Sequence, residues 1–222
     1  MNLSFLNKYP KIENLIKKII KLLKSETIIG GISISNTAIR FVRLNDGIIE
    51  KIGVVLEPGV IVFGKLKNKE SLLRALLALR YKLGGPKENI HIIVSLPSDN
   101  VYTQSFSIPI IEDRLINEAA KLNLQLLSPI DIKTAYTDWE KIGESQEEGG
   151  KIELLGGFTN KITVDEFTSV FREAGFGIVA VEFSALSLAR LIKTESLNAN
   201  FEKPQVFLSV SSDGPEFLII KN

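Results

Sequence analysis

Two clusters of small polar residues are the side chains in this sequence best placed for chemistry. The first is Ser33, Ser35, Asn36 and Thr37, within the run Gly31-Ile32-Ser33-Ile34-Ser35-Asn36-Thr37. The second is Ser209, Ser211 and Ser212, followed by Asp213-Gly214. Hydroxyls and amides at a tight turn hydrogen-bond their own backbone, and that use accounts for both clusters. Asp213 stands near the second cluster but not within it. Composition closes other routes. The chain has no cysteine and one histidine, His91. That excludes disulfides, thiolate or multi-histidine metal sites and a cysteine nucleophile. A lone imidazole also lacks the oriented partner that catalysis needs.

Strands must position both clusters. Ile28, Ile29, Ile32, Ile34, Ile39 and Val42 are β-branched and suit a pleated surface, so 28–44 is expected to be a hairpin turning at Ser35-Asn36-Thr37. Asp46-Gly47 predicts a turn into a third strand over 48–55. Leu72, Leu73, Leu76 and Leu77 recur at helical spacing, and Gly84-Gly85-Pro86 ends that helix. His91–Ser95 reads as a buried strand, halted by Leu96-Pro97. Residues 100–176 read as strand, helix, strand, strand, helix, an inserted unit. Its third element is expected over 132–139 and its acidic tip at 143–150, with Glu147 and Glu148 solvated. Its last helix is expected over 164–174, capped by Thr163 and Glu166 and ended by Gly175. Tyr136 and Trp139 are expected to pack on this unit's sheet. A strand over 177–181 and a helix over 183–192 follow. The strands 205–210 and 216–220 then frame the second cluster and repeat the first hairpin in form.

The 222 residues suit one large domain or two small ones, and 45% are hydrophobic, enough for a real core. Basic and acidic residues nearly cancel, 27 against 26, so the overall field does not favour nucleic acid. No apolar run approaches the ~20 residues that span a bilayer. The N-terminus lacks a signal-peptide pattern, because lysines interrupt its apolar positions. Residues 11–24, KIENLIKKIIKLLK, place Ile12, Leu15, Ile16, Ile19, Ile20 and Leu23 on one helical face, with lysines around the remainder. Such a helix can pack on the body of its own protein, lie on an anionic membrane or dock on a partner.

Motifs in order then resemble one family. They are Gly31–Ser35 with Ile39-Arg40-Phe41-Val42-Arg43-Leu44, Pro58-Gly59-Val60-Ile61 with Gly64-Lys65-Leu66, and Val94-Ser95-Leu96-Pro97. Ile108-Pro109 with Glu118-Ala119-Ala120, Phe171-Arg172-Glu173-Ala174-Gly175-Phe176, and Val181-Glu182-Phe183 with Ala185-Leu186 follow. Over about 28–220 the chain resembles the PilM family of type IV pilus assembly proteins, relatives of FtsA among the actin-like ATPases. The resemblance implies an α/β fold: the ribonuclease H-like first half of the actin-like fold, truncated relative to two lobes. Subdomain 1A would be 27–99 plus 177–222, an α+β subdomain 1C would be 100–176, and 1–26 would be the basic helix.

The family's phosphate loops carry Gly-x-Asp-x-Gly. Here Ser33 stands for the aspartate and Ser35 for the glycine, and the second frame reads Ser209-Val210-Ser211. The candidate cofactor positions are therefore Ser33, Ser35, Asn36, Thr37, Ser209, Ser211 and Ser212, in degenerate loops. The resemblance makes ATP and Mg²⁺ the possible ligands. The missing carboxylates argue for no cofactor, no metal and no enzyme activity. It also implies a cytoplasmic scaffold, peripheral at the inner membrane. That scaffold would bind the tail of a PilN-like membrane protein in a groove between its subdomains, and self-association is open to it. An ATP-binding FtsA-like division protein and a GspL-like secretion component are the alternatives.

Overall fold

The computed structural model describes residues 29–45, 47–85, 89–145, 150–195, 204–211 and 214–220. The segment 1–26, Ser212, Asp213 and the tip at 146–149 lie outside the described residues. The body is a five-stranded sheet. Its first three strands are β1 (Ile29–Ile34), β2 (Ala38–Asn45) and β3 (Ile48–Val55). They form the expected antiparallel meander, with Ile34 opposite Ile39 and Asn45 opposite Ile48. The run 60–66 becomes a small hairpin of β4 (Ile61–Val62) and β5 (Lys65–Leu66), followed by helix α1 (Lys69–Lys82). Strand β6 (His91–Leu96) lies parallel to β1, and β10 (Gly177–Phe183) lies parallel to β6. The order across the sheet is β10-β6-β1-β2-β3. Counted among themselves, these strands run 3-2-1-4-5 from one edge to the other. That is the ribonuclease H-like order of an actin-like half, as expected.

Period-two alternation sorts the side chains between the two faces. Ile32, Ile34, Ile39, Phe41, Ile92, Val94 and Leu96 are buried on one face. Leu72, Leu76 and Leu79 of α1 cover it, together with Phe167, Val170 and Phe171 of α3 (Lys161–Glu173). Each such side chain contributes about 1.5–3 kcal/mol on burial. Gly30 shares this face and leaves room for an aromatic ring: a Cβ there would lie 2.4 Å from Cε2 of Phe41. Helix α4 (Ser184–Glu195) lies on the opposite face beside β6 and β10, where the Ser187 and Ser95 hydroxyls approach to 3.4 Å.

An inserted unit leaves the sheet after Leu96. It comprises β7 (Val101–Pro109), α2 (Asp113–Leu127), β8 (Ala135–Ser145) and β9 (Lys151–Asn160). Its strands are antiparallel in the order β7-β9-β8. Helix α2 covers one face around Ile108, Ile116, Ala120, Ile152 and Leu154. The final hairpin, β11 (Gln205–Ser211) and β12 (Gly214–Ile220), pairs only with itself among the described strands.

Three expectations need correction. The inserted unit ends near 160 rather than 176, because α3 buries Phe167, Val170 and Phe171 in the main core. That helix starts at Lys161 and is capped by the Asn160 side chain, which accepts from Ile162 N at 2.9 Å. Thr163 and Glu166 already lie inside it. Residues 132–134 are a single tight turn capped by Asp131, and the strand after it continues to Ser145, into the expected loop.

Gly30→Ala is expected to cost about 1–3 kcal/mol, because the buried Phe41 ring cannot yield. Gly53→Ala on β3 meets no atom within 4 Å and should be neutral or slightly stabilising. Urea melts of the two variants check this.

Candidate functional site

In the first polar cluster, the Ser35 and Thr37 hydroxyls serve their own turn. Ser35 Oγ donates to Ala38 O at 3.2 Å and accepts from Ala38 N at 3.1 Å and Thr37 N at 3.4 Å. The Thr37 hydroxyl sits 3.4 Å from the same oxygen. Asn36 Oδ1 accepts from Gly64 N at 3.3 Å, tying the turn to the β4–β5 hairpin. Ser33 lies within β1, paired with Arg40 and Ser95. A turn whose hydroxyl already serves three backbone atoms keeps little capacity for a ligand.

These contacts extend along the edge where β1, β6 and β10 end. Phe63 at the β4–β5 turn is exposed and holds φ +48°, a left-handed conformation rare for a bulky residue. Asn100 Nδ2 donates to its carbonyl at 3.0 Å and helps hold it there. Beside Asn100, the Ser98 and Ser184 hydroxyls share a hydrogen bond of 2.6 Å. Ser184 Oγ also donates to Glu216 Oε1 at 3.3 Å, which docks the β11–β12 hairpin. The first turn and the second hairpin thus border one sheet edge, connected through residues 63–64, 98–100 and 184. Of the second cluster, Ser209 is exposed opposite Glu216, and Ser211 is paired with Gly214. Ser212 lies outside the described residues. Among the described residues no group of three acidic, histidine or cysteine side chains could hold a metal ion.

The best-formed concavity lies elsewhere. A groove of about 650 Å³ runs between the inserted sheet and the β10–α4 side of the body. The face of the inserted sheet opposite α2 forms one wall, with Tyr136, Asp138 and Leu155. Val181, Phe183 and Leu186 form the other. Gly157 leaves the floor bare, since a Cβ there would meet only Asp138 O at 3.9 Å. Glu182 is held at the rim by an ion pair with Arg190 and by the Ser187 hydroxyl at 2.5 Å. Both β8 and β10 are edge strands of their sheets, so the groove is bordered by unpaired backbone edges.

Trp139 packs on the inserted unit's core, as expected, and also borders the groove. Tyr136 reaches across: its hydroxyl donates to Asp165 Oδ1 of α3 at 2.9 Å, and the Lys161 ammonium sits 5.7 Å from its ring centroid. The Asp165 carboxylate accepts the phenol proton and repels the phenolate, which raises the Tyr136 pKa above its usual value. The sequence reading missed Asp138, Glu182, Leu186 and Arg190 as groove residues. Alternation along 135–145 was the available signal, and it was cut short by ending the strand at 139.

No protein-family model matches the chain, and no curated protein matches it in sequence. Among solved structures, a chain of a PilM–PilN type IV pilus biogenesis complex superimposes with TM-score 0.72 at 14% identity, over 89% of this chain and 59% of that one. The cytoplasmic domain of EpsL, an inner-membrane component of the Vibrio cholerae type II secretion system, reaches 0.47 at 9% identity, over 88% and 71%. A Bacteroides thetaiotaomicron protein with actin-like ATPase fold reaches 0.47 at 12%, over 90% and 67%. The first likeness shows the fold that this chain shares, and the chain spans 59% of that neighbour's length. No helix among the described residues is long and apolar enough to cross a membrane.

The Tyr136 phenol is expected to ionise at higher pH than a free tyrosine, and Asp165→Asn should return it toward the ordinary value. The bond's contribution to stability is present below the usual phenol pKa and is lost as pH rises through the raised one. Ultraviolet phenolate titrations of the chain, with Tyr136→Phe as the subtraction, read this out.

Proposed function

We propose that this chain is a non-enzymatic, PilM-like scaffold that receives an extended tail peptide of a PilN-like membrane protein in the groove between the body and the inserted sheet. The single observation that carries the reading is the apolar groove itself, open along two strand edges. An extended peptide can satisfy its backbone on a free edge while its alternate side chains enter the pocket. Val181, Phe183, Leu186 and Leu155 offer apolar contact, and Asp138 and Glu182 add a polar rim. The shared fold of a chain from a PilM–PilN complex supports the choice of partner. A place at the cytoplasmic side of an inner membrane follows from that partner.

ATP hydrolysis is the weaker reading. Phosphoryl transfer needs a metal held beside the phosphates and a positioned water. The hydroxyls in the first turn serve their own backbone, and Ser33 stands where the resemblance requires a carboxylate. We infer that neither ATP nor Mg²⁺ is a working cofactor here, and that FtsA-like or GspL-like roles rank behind the pilus role.

Tyr136 and Leu155 line the groove, so their NMR shifts should report occupancy. A synthetic N-terminal tail of a PilN-like protein is expected to move them saturably. Leu186→Glu should weaken that binding about tenfold or more, as removal of an anchor contact does. Leu126→Glu, on an exposed position of α2, should leave it unchanged. Unmoved shifts of these residues with native-like folding would count against the groove. In calorimetry at millimolar nucleotide, Mg·ATP is expected to give no saturable heat.

A further inference from the structure

Helix α4 covers only the β6–β10 half of its sheet face. The other half, over β1, β2 and β3, is open. Strand registers align its side chains in rows. Gly30 opposite Arg43 places Ile29 beside Leu44, and Leu44 lies opposite Ile49. These three residues make one apolar row across three strands, 48, 66 and 60% exposed, with Val42 of the next row at 45%. The next positions, Gly31 and Gly53, are low: a Cβ at Gly53 would meet nothing within 4 Å, and one at Gly31 only Val42. Exposed Lys51 lies beside Val42 and exposed Arg40 beside Gly53 on this face, so it is apolar only at the end where β1 begins.

The chain that leads into β1 supplies a matching surface. Residues 11–24 carry the apolar stripe Ile12, Leu15, Ile16, Ile19, Ile20 and Leu23, with Lys11, Lys17, Lys18, Lys21 and Lys24 around the rest. As a helix these fourteen residues would be about 21 Å long, enough to cross three strands spaced at ~4.8 Å. Only residues 25–28 separate them from Ile29, a tether of at most about 14 Å. That tether joins the first strand of the patch at its apolar row. We propose that residues 11–24 dock as an amphipathic helix on the open face formed by Ile29, Val42, Leu44 and Ile49, leaving the lysines outward. A short tether gives this segment a high effective concentration over the patch, which a second copy or a separate partner does not have. The exposed apolar face of β11–β12, with Leu208 and Phe217, is the competing acceptor within the chain.

The absence of cysteine makes the test direct, because a disulfide requires Cβ atoms about 3.5–4.5 Å apart. Full-length variants carrying Leu44→Cys with either Ile16→Cys or Ile20→Cys are oxidised under mild conditions at low protein concentration. Leu44→Cys with Lys18→Cys reports the opposite helix face, and Phe217→Cys with Ile20→Cys reports the hairpin. At least one stripe pair is expected to bridge within the molecule about tenfold faster than the Lys18 pair. It should do so equally with phosphatidylglycerol vesicles present, with the protein staying in the supernatant. Rates no higher than the Lys18 pair, faster bridging to Phe217→Cys or mainly covalent dimers would each overturn the proposal. So would loss of the bridge as the protein pellets with the vesicles.

Discussion

The pairing of β7 with β9 at the neck of the insertion is the constraint on which the groove depends. The chain leaves the body after Leu96 and returns at the Asn160 cap of α3. At that junction Val101 lies opposite Thr159, and the Thr159 hydroxyl donates to Asn100 O at 3.1 Å. Both ends of the insertion are therefore clamped side by side at the edge where the parallel strands of the body end. With the neck fixed, the inserted sheet has one face for α2 and one face left toward β10. Tyr136 then spans the gap to Asp165 of α3, a second tie between insert and body. Edge-strand backbone and apolar side chains consequently border one elongated cavity.

The same edge is held together by contacts within the chain. Asn36, Gly64, Phe63, Asn100, Ser98, Ser184 and Glu216 form successive protein-to-protein contacts around it. These contacts join the first hairpin, the neck and the second hairpin. The strained Phe63 backbone is part of that joint. Polar side chains at the edge thus join parts of the fold, while the apolar wall beside β10 lines the groove.

Much of the fold was legible because it rests on period-two and period-3.6 patterns: the β1–β3 meander, α1 and the strand–helix–strand–strand order of the insertion follow from apolar spacing and turn residues. The order of short motifs made the ribonuclease H-like half legible as well. The insertion's boundary was not. Phe167, Val170 and Phe171 would be apolar on either core, and only tertiary packing decides which one they enter. The cap at Asn160 was missed for a related reason: Thr163 and Glu166 satisfy the local capping pattern, but strand β9 runs to Asn160 and hands its chain directly to the helix. Of the candidate site, the turn at 35–37 was readable as turn chemistry. The groove was not, since its walls come from β8, β9, β10 and α4, and no single stretch carries its signature.

Backbone amide exchange of the full chain, measured with and without the tail peptide of a PilN-like protein, tests the scaffold reading at the atoms that would do the binding. The account predicts slowed exchange on the free edge of Gly177–Phe183 or Ala135–Ser145, with the 35–37 turn unaffected. Unchanged exchange at both strand edges while the peptide is demonstrably bound elsewhere would contradict it.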